Sequence, residues 1–356
     1  MSGSVNRLGA KLCVGLLSLL LVAVQAPNTS AQQPTRPSQE SFLSRAVFAA
    51  GRVWLLSDAG NLSSIAQGQD VRIEERLSEP VLDLCLHEGR PTIVTGMSTR
   101  GPDWVLRTRV DGGWRAEVTI ASESDALLSI DCSAKGIIFL TDRRLLEVQD
   151  GPLRAAALSE RPSRGRVAAT YLMADHFFVG SNAGEWGGGL RRIDKRTGKV
   201  TVIAEIAGGG PCPGLLNPEC EPVNGIAPVP WKSGCIAAAV GLVHFRPKGR
   251  LVEICGDQIE SLYSKQVDTT PFPGVAMRGT IAFFGISRDG VRLRAVGIDG
   301  QYTVGKEGVA EFSPRPNFKT VGNIGVSFEL PNFVLVLTGI NQRHSISGDV
   351  PILVPR

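Results

Sequence analysis

Histidine is scarce in this chain of 356 residues, with four in all: His87, His176, His244 and His344. None falls in an HExxH pattern or another metal-ligand spacing, so the zinc-hydrolase signatures are excluded. A GxSxG turn is also missing, which removes the nucleophile elbow of the α/β-hydrolases. The glycine tracts Gly187–Gly189 and Gly208–Gly210 do not lead from a strand into a helix, so they read as hairpin and loop glycines rather than phosphate cradles. Neither sign of charge dominates: 38 Lys+Arg stand against 34 Asp+Glu, a net charge of +4. With the two signs interspersed, nothing argues for a nucleic-acid or anionic-membrane partner. What is abundant is glycine, at 41, and proline, at 22, which imply many turns and few helices of useful length. Hydrophobic residues make up 43% and charged residues 20%, a globular composition too apolar for disorder.

The longest apolar run, Leu12 to Val24, is too short for a bilayer span, which takes about 20 residues. Arg7 and Lys11 precede it, no acidic residue does, and small residues follow. These are the parts of a secretory signal peptide. Cleavage after Ala31, with Thr29 and Ala31 as the small side chains, avoids leaving Pro27 as the first residue. Residues 1–31 are therefore read as a signal peptide and 32–43 as a Pro/Gln/Ser-rich linker. An exported protein of this kind lies in the periplasm or the medium.

Cys13 leaves with the signal peptide. Six cysteines remain: Cys85, Cys132, Cys212, Cys220, Cys235 and Cys255. An even number in an oxidising compartment points to disulfides. Spacing favours Cys212–Cys220 as a staple on the loop PCPGLLNPEC. Cys235 and Cys255 flank a hairpin, and Cys85 and Cys132 hold equivalent places in adjacent repeats; their connectivity stays open. Zinc is the competing reading, with no CxxC pair to support it.

Short apolar runs ending in Gly, Thr or Ser recur about every 40–60 residues. They are VWLLS from Val53, TIVTG around Ile93, IIFLT from Ile137, FFVGS from Phe177, IAAAVG from Ile236, IAFFG from Ile281 and VLVLTG from Val334. Each follows a turn, is preceded by another strand-like stretch such as SRAVFAA or VLDLCLH, and is followed by a third such as WVLRTRV. Several repeats show a fourth stretch. Four antiparallel strands per repeat is the arithmetic of a β-propeller blade. Residues 44–356 are thus expected to form one all-β domain, a seven-bladed β-propeller of four-stranded antiparallel blades with the apolar runs as second strands. A β-sandwich or two smaller β domains is the alternative. The last repeat has residues for only one strand beyond VLVLTG.

At GGGLRRIDKRTGKVTVI, residues 187–203, an apolar-x-x-Ile-Asp run precedes a Thr-Gly-Lys turn. This resembles the blades of the broad bacterial β-propeller superfamily, with quinoprotein-like and lactonase-like members. Such a resemblance implies the fold and no particular activity. Its lactonase-like side implies a divalent cation, Ca²⁺ or another, held at the channel mouth by acidic and amide oxygens. Glu221, Asn224 and Asn323 are the candidates for that role.

The longest excursion between repeats, an insertion over 184–230, combines GEWGGG, the Cys212–Cys220 loop and PVPWKSG. Long loops carrying aromatics on a rigid ring are where binding collects. Trp186, Trp231, Glu185 and Asn182 are therefore the candidate ligand-binding residues. Two functions follow. The first is a non-catalytic scaffold, monomeric, binding a protein, peptide or glycan through one face of the ring. The second is a metal-dependent lactonase or hydrolase. N-terminal sequencing of the exported protein should begin at Gln32; a start at Pro27, or an uncleaved chain, would contradict the leader assignment.

Overall fold

The apolar runs become strands because their Val, Ile, Leu and Phe suit a pleated surface and because Gly, Asp and Asn punctuate them. The computed structural model describes residues 43–314 except 70, 134, 135, 150, 151, 211, 245, 273 and 274, together with 325–328, 330, 333–337 and 352–355. The expected signal peptide, nearly all of the linker, Asn323 and His344 lie outside the described residues.

The first four-stranded sheet is β1 (Leu43–Ala49), β2 (Arg52–Ser57), β3 (Leu62–Ala66) and β4 (Arg72–Glu74). The second is β5 (Val81–His87), β6 (Arg90–Thr95), β7 (Asp103–Val110) and β8 (Gly113–Ala121). Next come β9 (Leu127–Ser133), β10 (Gly136–Thr141), β11 (Arg144–Val148) and β12 (Arg154–Ala157). The fourth is β13 (Arg166–Leu172), β14 (His176–Asn182), β15 (Gly188–Asp194) and β16 (Val200–Ile203). The fifth is β17 (Val223–Pro228), β18 (Cys235–His244), β19 (Arg246–Cys255) and β20 (Gln258–Tyr263). A hairpin of β21 (Gln266–Phe272) and β22 (Val275–Thr280) precedes the sixth, β23 (Phe283–Asp289), β24 (Arg292–Gly297), β25 (Gly300–Gly305) and β26 (Gly308–Pro314). A three-stranded sheet ends the chain: β27 (Gly325–Ser327), β28 (Phe333–Leu337) and β29 (Ile352–Pro355).

Within each sheet the strands pair antiparallel in chain order. The first strands touch in succession, β1 to β5, β9, β13, β17, β23 and β27, and β27 returns to β1. Sheets arranged radially about a ring of first strands define a β-propeller.

Two expectations are corrected. Among the described residues there are six four-stranded blades, not seven, and the last sheet shows three strands, β29 being the one that follows β28 in it. The run at Ile281 belongs to the entry into β23, the innermost strand of its blade, and not to a second strand; the GVAMR stretch before it lies in the β21–β22 hairpin. That hairpin packs beside β19, where the Gly249 amide donates to Thr280 Oγ1 at 2.9 Å. An innermost strand wedged between neighbours is as continuously apolar as a second strand, so the run alone did not tell the two apart.

Packing explains the unbroken apolar runs. In β6, Ile93 packs with Val47, Trp54 and Leu56 of the first blade, while Val94 next to it packs with Ile130, Ile137 and Phe139 of the third. In β10, Ile137 and Phe139 face the second blade and Ile138 and Leu140 the fourth. In β18, Ile236, Ala238 and Val240 turn to the fourth blade, and Ala237 and Ala239 to the sixth. Both faces of these sheets are buried, so the polar half of the usual strand alternation disappears. Each buried Val, Leu, Ile or Phe among them contributes about 1.5–3 kcal/mol, and the alanines less. The ring closes apolar as well: Ala46 and Leu55 of the first blade meet Leu330, which precedes β28.

Three disulfides are formed: Cys85–Cys132, Cys212–Cys220 and Cys235–Cys255. They suggest an oxidising, exported environment. Cys85–Cys132 joins innermost strands of adjacent blades, and Cys235–Cys255 joins directly paired positions of β18 and β19. Cys235, Cys255 and Glu253 could converge on a metal, but the two sulfurs are bonded to each other. No helix among the described residues is long and apolar enough to cross a membrane.

Cys85–Cys132 spans 47 residues of sequence and Cys212–Cys220 spans 8. By loop-closure entropy the first stabilises by about 4 kcal/mol and the second by about 2.5 kcal/mol. Thermal melts of the paired alanine variants should therefore show the larger drop for C85A/C132A; an equal or reversed order would contradict the entropic account.

Candidate functional site

The ring has two unlike rims. The upper rim carries the turns between second and third strands and the connections between blades. The lower rim carries the first-to-second and third-to-fourth hairpins. Asn182 ends β14 at the upper rim, opposite Arg166 at the start of β13. A 3₁₀ turn, Gly184–Trp186, follows it and leaves Trp186 69% exposed with Glu185 exposed beside it.

This turn is held from below. Gly188 N donates to Pro218 O at 2.9 Å and Gly189 N to Glu221 O at 3.0 Å. A Cβ on Gly187, at φ +83°, would lie 2.2 Å from Pro218 O, so only glycine allows this approach. The disulfide loop is anchored in turn by reciprocal backbone bonds between Glu205 and Leu216 at 2.9 and 3.1 Å. The Leu216 side chain is fully buried against Leu190, Ile203 and Val223. Arg164 pairs with Glu219 across the same loop. Trp186 thus stands on a platform fixed by glycine contacts, a disulfide and an apolar plug.

Trp231 does not join it. It follows β17 at the lower rim, in the turn to β18, where its Nε1 donates to Glu253 Oε2 at 3.3 Å and its ring packs on the fifth-to-sixth blade core. The two tryptophans read together from sequence belong to opposite faces, because β17 lies between them and carries the chain from one rim to the other. His87 and His176 also sit at the lower rim; His87 Nδ1 is 3.0 Å from Ser133 O.

The proposed metal ligands are occupied with internal work. Glu221, 1% exposed, accepts Arg250 Nη1 at 2.8 and 3.0 Å and the Asn217 amide at 2.9 Å, with Lys248 Nζ at 3.5 Å. Asn224 donates to Gly241 O at 2.7 Å and Phe283 O at 2.9 Å, and accepts from Asn182 Nδ2 at 2.7 Å. Asn182 Oδ1 accepts the Gly184 amide at 2.8 Å. These amides stitch the fourth, fifth and sixth blades together and cap the Trp186 turn. Asn323 lies outside the described residues.

The central channel, about 450 Å³, is lined by first strands and holds a second set of polar groups. Asp83 of β5 accepts Arg45 Nε at 2.8 Å and Nη2 at 3.3 Å, Ser129 Oγ at 3.1 Å and the Ile130 amide at 2.8 Å. One buried carboxylate therefore ties the first three blades. Asp131 accepts from Thr170 Oγ1 at 2.5 Å, and burial pushes its carboxyl above the usual range. Arg166 stands apart. Its Nε is enclosed and has no hydrogen-bond partner. Burial first, then the nearby charge of Arg45, lowers its pKa to about 10.

No protein-family model matches the sequence, and a search of characterised proteins by sequence finds no match. The fold does have solved counterparts. One is YCF48 bound to D1 peptide, with TM-score 0.54 and 11% identity over 84% of this chain and 90% of that one. YCF48 from Cyanidioschyzon merolae gives TM-score 0.52 and 11% identity over 85% of this chain and 95% of that one. The extracellular domain of the hybrid two-component system BT4673 from B. thetaiotaomicron gives 0.51 and 13%, covering 85% of this chain and 38% of that chain. At these identities the likeness establishes the β-propeller fold alone.

Loop positions drew the sequence reading outward, and it passed over Arg45 and Arg166 inside SRAVFAA and RVAATYL. The signal was there: an arginine in a strand wedged between neighbouring blades keeps its charged end wet by reaching the channel or a rim. Replacing Glu221 by Gln strips one partner from a buried ion pair and should cost about 3–5 kcal/mol. Melts in EDTA and in Ca²⁺ should give the same loss; a loss confined to the Ca²⁺ samples would show a metal role for Glu221.

Proposed function

We propose that the protein is an exported, non-catalytic β-propeller that binds a protein or peptide segment across its upper rim. One observation carries this reading: an exposed tryptophan, Trp186, on a turn braced by glycine contacts and the Cys212–Cys220 loop. A large aromatic exposed on a flexible tip loses entropy when a ligand orders it. One held rigid in advance loses little, so more of its contact energy remains as affinity. Tryptophan is also the side chain most enriched among residues that dominate binding energy. Met97, 72% exposed, lies in the corresponding turn of the second blade, on the same rim. That one propeller of similar shape is described with a D1 peptide fits this reading.

Panning the immobilised protein against a displayed peptide library tests it. Enriched peptides should lose at least about tenfold in affinity on W186A, in the range of a binding hot spot. W231F, on the opposite rim, should leave them unchanged. Failure to enrich any sequence, or dependence on Trp231 instead, would overturn the proposal.

A further inference from the structure

A buried cation without a partner is expensive, and folded proteins rarely retain one. Arg166 is partway to such a group: the residue is half-buried, its Nε is sealed from solvent and donates to nothing, and among the described residues no carboxylate forms an ion pair with it. The contrast with Arg45 is internal to the same channel. Arg45 has Asp83 at 2.8 Å and Ser129 at 2.7 Å, so its charge is already answered. Asp83 is in turn saturated by four donors besides Arg45 Nε: Arg45 Nη2, Ser129 Oγ and the Leu84 and Ile130 amides. It has nothing left to offer Arg166. Asp131 is held by Thr170.

The position of Arg166 adds to its chemistry. It begins β13 at the upper rim, in register with Asn182, two residues before the turn that carries Trp186. It also lines the 450 Å³ channel, which is about large enough to admit one side chain or a chain end. A planar fork of N–H donors matches the paired oxygens of a carboxylate, the commonest anion on a peptide.

We propose that Arg166 at the channel mouth is a receptor for a carboxylate, supplied by an acidic peptide segment lying on the upper rim. The carboxylate completes the ion pair that the fold leaves open, and the apolar part of the same segment rests on Trp186. Placement of the rest of the segment depends on the upper-rim reading above; the carboxylate site does not.

Two sources present the same chemistry, a peptide C-terminus and an Asp or Glu side chain. The first arm of the test compares N-acetyl-Ala-Ala with a free carboxylate against its amide, and the second N-acetylglutamate amide against N-acetylglutamine amide. Each is titrated calorimetrically into the protein at constant ionic strength. At least one carboxylate should bind about tenfold more tightly than its own amide, the value of one well-formed charged contact. R166Q should abolish that preference without lowering the ligand-free melting temperature, because it removes a half-buried charge that no carboxylate of the fold answers. Equal binding of acid and amide in both arms, or an undiminished preference in R166Q, would overturn the proposal. So would a lower melting temperature in R166Q with binding untouched, the mark of a purely structural arginine. A carboxylate preference that survives W186A supports the Arg166 site even if the library panning finds no role for Trp186.

Discussion

Burial of the second strands on both faces is the constraint on which this molecule depends. Adjacent residues of one strand serve different neighbours, as Ile93 and Val94 do for the first and third blades, and Phe177 and Phe178 for the third and fifth. No blade can therefore be completed without the next, and the chain of contacts ends only when β27 and Leu330 meet the first blade. Stability in such an array is a sum of neighbouring interfaces rather than the property of one central core. Disulfides reinforce it at one such interface, β5 with β9, and inside the fifth blade.

A ring closed in this way leaves two places for chemistry: the rims, where turns escape the packing, and the channel, where first strands turn side chains toward one another. Polar groups placed there are mostly used to hold blades together. Asp83 gathers the first three blades, Asn224 the fifth and sixth, and Glu221 secures the disulfide loop through Arg250. Against that background, two groups point outward. Trp186 exposes a large apolar surface on a rigid mount, and Arg166, one of three described residues with Trp104 and Arg191 that keep an enclosed donor without an acceptor, lines the channel. They sit at the same end of the fourth blade.

Much of the fold could be read from residues alone, for a physical reason. Strands buried on two faces advertise themselves as unbroken runs, and five of the runs before Ile281 fall in second strands as expected. The reading failed at Ile281 because innermost strands are buried in the same manner, and the β21–β22 hairpin supplied a decoy for the missing first strand. It overcounted four-stranded blades because a run at Val334 signals a sheet and not the number of its strands. Of the cysteine pairs, Cys212–Cys220 was legible from spacing, whereas the connectivity of the other four emerges only once β5 and β9, and β18 and β19, are placed side by side. The site was legible in part: the glycine-rich turn and disulfide loop stood out, but nothing local to Trp186 and Trp231 told that β17 separates them. Hydrogen bonding was hidden altogether, since Glu221 and Asn224 in sequence look the same whether they bind an ion or Arg250 and two backbone carbonyls.

The central claim is that the folded ring holds a guanidinium ready for a carboxylate. Nitrogen-15 NMR of the Arg166 guanidinium, its signal assigned by disappearance in R166Q, tests this most directly. On saturation with the preferred carboxylate probe its resonance should move downfield and its hydrogen exchange with water should slow, as expected for a new charged hydrogen bond. An unmoved resonance under saturating probe would mean that the carboxylate binds elsewhere, and would contradict the account.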